Sequence, residues 1–167
     1  AARGRASHFN NSTPLETVLY AFMGVGAASI VAGCFVIGLA IWRRGRPDAP
    51  AGLRYGGAWG LMIGAVLTLV TAGILSSGTI APAGHWVGGV RSDAGGLFLF
   101  GWSRTGGDLR VPHFFATHLM QAMPLLGLLL DRYLPGHIRG GLMIGGAAGI
   151  LIVAGTFIQA ATGNPFL

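Results

Sequence analysis

The sequence predicts an all-α integral membrane bundle of four up-and-down transmembrane helices with one long extracytoplasmic loop. Three observations carry this. Only 10% of the 167 residues are charged, against roughly a quarter in soluble domains, which is too few to cover a water-facing surface. Hydrophobic residues make up 52% of the chain and gather in four long runs. No run has an ionisable group near its middle, since Glu16 and the histidines of the third run lie toward one end. About 20 apolar residues cross ~30 Å of hydrocarbon as a helix rising 1.5 Å per residue. Strands are excluded, because an open sheet leaves its edges unsatisfied in lipid.

Residues 1–14 read as an extracytoplasmic tail and 15–167 as a single membrane domain. The first span covers 15–42. Thr13-Pro14-Leu15-Glu16 forms a capping box at its start, with proline in the first helical position. The second span covers 55–77 and the third 112–130. Pro112 suits a first turn, whereas Pro124 falls mid-helix, where it frees the carbonyl of Met120 and kinks the axis. Pro135-Gly136 marks a tight turn into the fourth span, 138–162.

All 11 basic residues are arginine. Arg43, Arg44, Arg46, Arg54, Arg132 and Arg139 lie on the two short turns; Arg3, Arg5, Arg91, Arg104 and Arg110 are spread over the tail and the long loop. Their density beside the span ends predicts the short turns as cytoplasmic and both termini as extracytoplasmic. The arginines flank apolar segments and do not interleave with aromatics on a soluble face, so lipid headgroups are the expected contact and nucleic acid is not. Cys34, the single cysteine, lies within the first span as a small buried apolar residue. The start Ala1-Ala2-Arg3 has neither Met nor the order of a signal peptide, and reads as a piece of a longer chain.

Glycine is abundant, at 30 residues. Gly56, Gly60 and Gly64 in the second span, and Gly141, Gly145 and Gly149 in the fourth, recur every four residues; Gly24, Ala28 and Ala32 make a softer version in the first. Such stripes let helices approach closely where lipid supplies no hydrophobic drive. They point to other transmembrane helices as partners, from a missing segment of the chain, a homo-oligomer or a larger complex. The pentapeptide Gly-Leu-Met-Ile-Gly at 60–64 recurs at 141–145, which suggests duplication of a two-helix unit and equally fits chance.

The loop 78–111 is long for a connection, as most run to about 4–6 residues. Trp86, Phe98, Phe100 and Trp102 predict that it folds back onto the membrane interface. Gly106-Gly107-Asp108 is a turn with Asp108 placed to cap the third helix, and Arg104 and Arg110 have Asp93 and Asp108 as partners to hand. No Gly-Lys-Ser/Thr comes after its glycines, so it is not a phosphate loop.

Candidate chemistry concentrates on the outer side. His113, Thr117 and Gln121 share one face of the third helix, flanked by His118. Thr156, Gln159, Glu16, Tyr20, Ser76 and Ser77 fall at similar depth. The candidate ligand-binding set is therefore His85, Arg110, His113, Thr117, His118, Gln121 and Gln159. His85, His113 and His118 are the candidate ligands for a transition metal such as zinc or copper. The five-residue step from His113 to His118 argues against that, because zinc ligands on one helical face fall four apart. No cofactor is otherwise predicted. An intramembrane haem held by this chain alone is not expected, since only the third span carries histidine. Serines are scattered without a nucleophile elbow, and the five acids are far apart, so no catalytic residues are assigned.

The run Gly101-Trp102-Ser103-Arg104-Thr105-Gly106-Gly107-Asp108-Leu109-Arg110-Val111-Pro112-His113-Phe114-Phe115-Ala116-Thr117-His118, with Gln121 and Pro124 after it, resembles a signature of uncharacterised bacterial multispan inner-membrane proteins. Ser7-His8-Phe9-Asn10 and Gly84-His85 fit the same pattern, and the likeness covers most of the chain. It implies a bacterial cytoplasmic membrane location and further helices ahead of this segment. It brings no established activity. The two functional expectations are a non-enzymatic accessory or structural module of a larger membrane assembly, and a carrier or binder of a small ligand or metal ion.

Overall fold

A computed structural model describes residues 13–82 and 84–167 of the chain. The tail, with Arg3, Arg5, His8 and the 7–10 pattern, lies outside the described residues. The elements are α1 (Pro14–Arg44), α2 (Ala51–Ser77), β1 (Trp86–Val87), β2 (Gly107–Asp108), α3 (Arg110–Tyr133), a single 3-10 turn (Pro135–His137) and α4 (Ile138–Ala161). Among the described residues, four helical segments are long and apolar enough to cross a membrane.

Local chemistry sets the helix ends. The Thr13 hydroxyl accepts from the Glu16 amide at 3.3 Å and donates to its carboxylate at 3.0 Å, which starts α1. α2 begins after Pro50, which offers no side-chain cap. Its free amides are met from elsewhere: Gly52 and Leu53 donate to the two carboxylate oxygens of Asp131, near the end of α3, at 2.7 and 2.8 Å. A carboxylate at a helix N-terminus satisfies orphan donors and opposes the positive end of the helix dipole. With that cap in place, α2 starts at Ala51, a turn before its apolar span.

α2, α3 and α4 make the packed core. Ala116, Leu119, Met123, Leu130, Leu142 and Val153 form its buried cluster, with Tyr55, Trp59 and Ile63 packed against it. α3 runs back along α2: Gly52 and Gly127 abut backbone to backbone at one end, while Gly64 sits against Met120 and Ala116 further along. A methyl added at Gly52 or Gly127 would collide with the other's carbonyl oxygen. α4 runs back along α3 in turn, with Leu130, Leu126 and Leu119 filling the space over Gly141, Gly145 and Gly149.

α1 stands apart. Of its 31 residues only Gly38 is buried. It joins α2 through its last turns, where Gly38 meets Ala58, Leu61 and Met62. Trp42 packs there on Tyr55 and Trp59 at ring distances of 5.8 and 6.0 Å. Upstream, Gly24, Gly26 and Gly33 face open space. Phe22 and Ile30 are 73% and 72% exposed, a surface fit for lipid or another apolar helix and not for water.

Candidate functional site

The chain between α2 and α3 folds into a cap over the ends of α3 and α4. β1 and β2 pair antiparallel, Trp86 opposite Asp108 and Val87 opposite Gly107. The Leu109 amide extends this tie by donating to the His85 carbonyl at 3.0 Å. Gly107 lies so close to the Ala160 carbonyl of α4 that no side chain fits there. Gly89, at φ +63, turns the chain hard against Thr105 in a conformation that L side chains rarely adopt.

Asp108 is the centre of the cap, and its side chain is fully buried. One carboxylate oxygen accepts from the Arg110 amide at 3.0 Å and the other from the Ser103 amide at 3.0 Å. The Arg110 guanidinium closes on the same carboxylate through Nε at 3.0 Å and Nη2 at 2.7 Å. Nη2 also reaches Asp93 at 2.7 Å and the Gly101 carbonyl at 2.8 Å. His85 Nε2 bonds Asp93 at 3.2 Å. The order is thus His85, Asp93, Arg110, Asp108: a buried charge held by a paired cation, as low-dielectric burial requires. Arg104 makes no such pair among the described residues.

Burial pushes the His85 imidazole below its ordinary pKa, helped by the Arg110 charge and resisted by Asp108 and Asp93. For Asp93, burial alone would act upward, but the His85 hydrogen bond and the Arg110 charge hold it below the usual carboxylate range. Neutral His85 therefore donates its Nε2 proton to an ionised Asp93. Its ring stacks on Trp86 at 3.8 Å, while the buried Trp86 indole N–H has no hydrogen-bond partner among the described residues.

An aromatic girdle closes the outer rim. Trp102, 5% exposed, stacks on Phe100 at 4.4 Å and meets Phe114 and Phe166 edge-on at 5.2 and 5.5 Å. Phe98 and Leu99 project from this rim.

Inside the span, α2 and α3 share a polar seam. His113 Nδ1 lies 3.1 Å from the Thr71 hydroxyl, and Thr68 donates to Thr117 at 3.4 Å. Thr71 has carbonyls of Leu67 and Thr68 at 2.9 and 3.1 Å for its single proton. With that proton so used, its oxygen accepts from His113 Nδ1–H. His118 turns outward, its Nδ1–H on the Phe114 carbonyl at 2.8 Å. Gln121 is exposed, and makes no side-chain hydrogen bond to the described residues. Gln159 donates to the Pro165 carbonyl at 2.6 Å and lines a recess with Asp108, Thr156 and Asn164 that has no interior room for a water-sized molecule.

The sequence-predicted set is thereby divided. His85 and Arg110 belong to the cap, His113 and Thr117 to the α2–α3 seam, Gln159 to the C-terminal turn, and His118 and Gln121 to an outer face of α3. Among the described residues no three His, Cys, Asp or Glu side chains converge as metal ligands do, so His85, His113 and His118 are not brought together. Sequence reasoning missed Asp131 as a cap and Thr68 and Thr71 as seam partners. Comparison with family models, with curated proteins and with solved structures finds no match.

Proposed function

We propose that this chain is a membrane-embedded structural or accessory module of a larger helical assembly in a bacterial cytoplasmic membrane. Its four helices cross up and down, with the Arg-bearing turns cytoplasmic and the cap outside. The observation that carries this reading is α1, a helix of spanning length that, among the described residues, packs on α2 through its final turns and presents mostly exposed apolar surface upstream. The polar groups support it. His85, Arg110, His113, Thr117 and Gln159 are each engaged with neighbouring side chains or carbonyls, as groups that hold a fold together are.

The test is purification of the full chain in mild detergent, with metal analysis and identification of what co-purifies. The expected result is a fixed set of partner helices and no stoichiometric zinc, copper or iron. Stoichiometric metal that is lost on His113→Ala would overturn the reading in favour of a ligand-handling protein.

A further inference from the structure

The outer face of α3 carries a feature that lipid does not satisfy. Gln121 lies about 16 Å along the helix from Arg110, roughly halfway through ~30 Å of hydrocarbon. It is exposed there, with no hydrogen bond to the described residues. An amide facing hydrocarbon keeps two donors and an acceptor unmet, which is costly. His118, one turn toward the cap, is exposed on the same face.

A second observation is independent of polarity. Phe114, His118, Gln121, Leu125 and Leu128 succeed one another at steps of four, three, four and three, the a/d repeat of a left-handed helix pair. Leu125 and Leu128 are 60% and 43% exposed. The residues that α3 gives to its own bundle, Ala116, Leu119, Met123, Gly127 and Leu130, lie on another face. From His118 to Leu128 this face is exposed and takes no part in the bundle, while Phe114 at its head packs on Trp102.

We infer that α3 pairs in parallel with α3 of a second copy of this chain, with Gln121 hydrogen-bonding across the seam to its counterpart. The chemistry selects the occupant. A second copy inserted in the same sense brings the same amide to the same depth across a two-fold axis along the membrane normal. An amide both donates and accepts, so it complements itself. A polar residue within an apolar a/d seam also fixes register and copy number. The pairing names one partner within the accessory-module reading and rests on it.

The test uses the full chain in native membranes with Cys34→Ser, so that each introduced cysteine is the single thiol of this sequence. Oxidation should cross-link Gln121→Cys, Leu125→Cys and Leu128→Cys each to itself as a dimer. Ile144→Cys and Leu151→Cys, on the exposed face of α4 at 73% and 70%, should stay monomeric. Without cysteines, Gln121→Leu should weaken the dimer roughly five- to thirty-fold in a detergent dilution series, the range for an interhelical hydrogen bond in a membrane, while Gln121→Asn keeps most of it. No dimer from any seam position, cross-linking no stronger than on α4, or capture of a different protein alone would overturn the pairing. Metal content measured on the same preparation reports on the functional reading separately, so the two failures are distinguishable.

Discussion

α2 and α4 each lay a stripe of glycines at four-residue spacing against α3, and the two contacts are physically different. Along α2, Gly52 and Gly56 meet backbone first, the carbonyls of Gly127 and Met123, while Gly60 and Gly64 meet the Met123 and Met120 side chains with backbone close behind. Along α4, Gly141, Gly145 and Gly149 meet the tips of Leu130, Leu126 and Leu119. The repeated pentapeptide falls within both stripes and serves both purposes. The difference comes from α3. Toward α2 it presents Pro124, which adds no N–H, and Gly127, which adds no side chain. Toward α4 it presents leucines. Small-residue spacing alone therefore announces a close approach, and the facing helix decides whether the glycine makes room for a backbone or for a side chain.

The largest expected effect tests this directly. Gly56→Ala or Gly127→Ala forces a methyl into backbone that cannot rotate aside, and should cost about 3 kcal/mol, the upper range of overpacking. Equilibrium unfolding in mixed micelles measures it. If Gly56→Ala proves no worse than Gly145→Ala, the distinction between the stripes fails.

The next effect concerns how the α2–α3 contact is locked at its end. Asp131 satisfies two α2 amides where those helices cross most closely. Asp131→Ala should remove about 1–2 kcal/mol, as loss of a helix cap does, and hydrogen exchange should speed at Gly52 and Leu53 first. Unchanged exchange there would mean that the carboxylate is incidental to the helix start.

At α4 the expected effect is smaller. Gly149→Ala displaces only the Leu119 tip, and alanine regains about 1 kcal/mol of helix propensity. The net change should lie within about 1 kcal/mol of zero. A loss as large as that at Gly56 would show that Leu119 has no alternative rotamer and that the α4 stripe is as rigid as the other.

These contrasts also mark what could be read from residues alone. The spans were legible because hydrocarbon imposes a length and excludes charge, and four helices cover them. α2 and α3 start ahead of their apolar runs because the Asp131 and Asp108 carboxylates, not hydropathy, meet their first amides. Asp108 is next to its helix and could be foreseen as a cap; Asp131 is 79 residues from Gly52 and could not. Arg110 was foreseen with Asp93 or Asp108 and takes both, since a guanidinium presents several donors in a fork. The common face of His113 and Thr117 came from helical spacing. Their partners Thr68 and Thr71 depend on how α2 rotates against α3, which the glycine contact fixes and the sequence pattern does not state. The expected single polar cluster divides for the same reason: helix rotation sends His113 inward and Gln121 outward.

The smallest effect separates the cap from the glycine contacts. The stripes are uncharged and should be indifferent to pH, whereas the cap contains His85, whose buried imidazole has a depressed pKa. Unfolded, that histidine titrates near about 6.5. Above that value it is neutral whether or not the cap is closed, and the cap's stability is fully present. As pH falls below it, the open form binds the proton more readily, and stability is lost until the folded pKa is passed. Asp93, also held low, loses its contribution only below about 4. Lowering pH from about 7.5 to about 5 therefore tests His85 without titrating Asp93. Protection of the Leu109 amide, bonded to the His85 carbonyl, should fall over that window once intrinsic exchange is corrected, while amides around Gly60 stay unchanged. His85→Gln, which cannot titrate, should flatten the response. Protection that rises on acidification would mean that protonated His85 is held by Asp93 and Asp108 more strongly than burial opposes it, reversing the sign assigned to the cap.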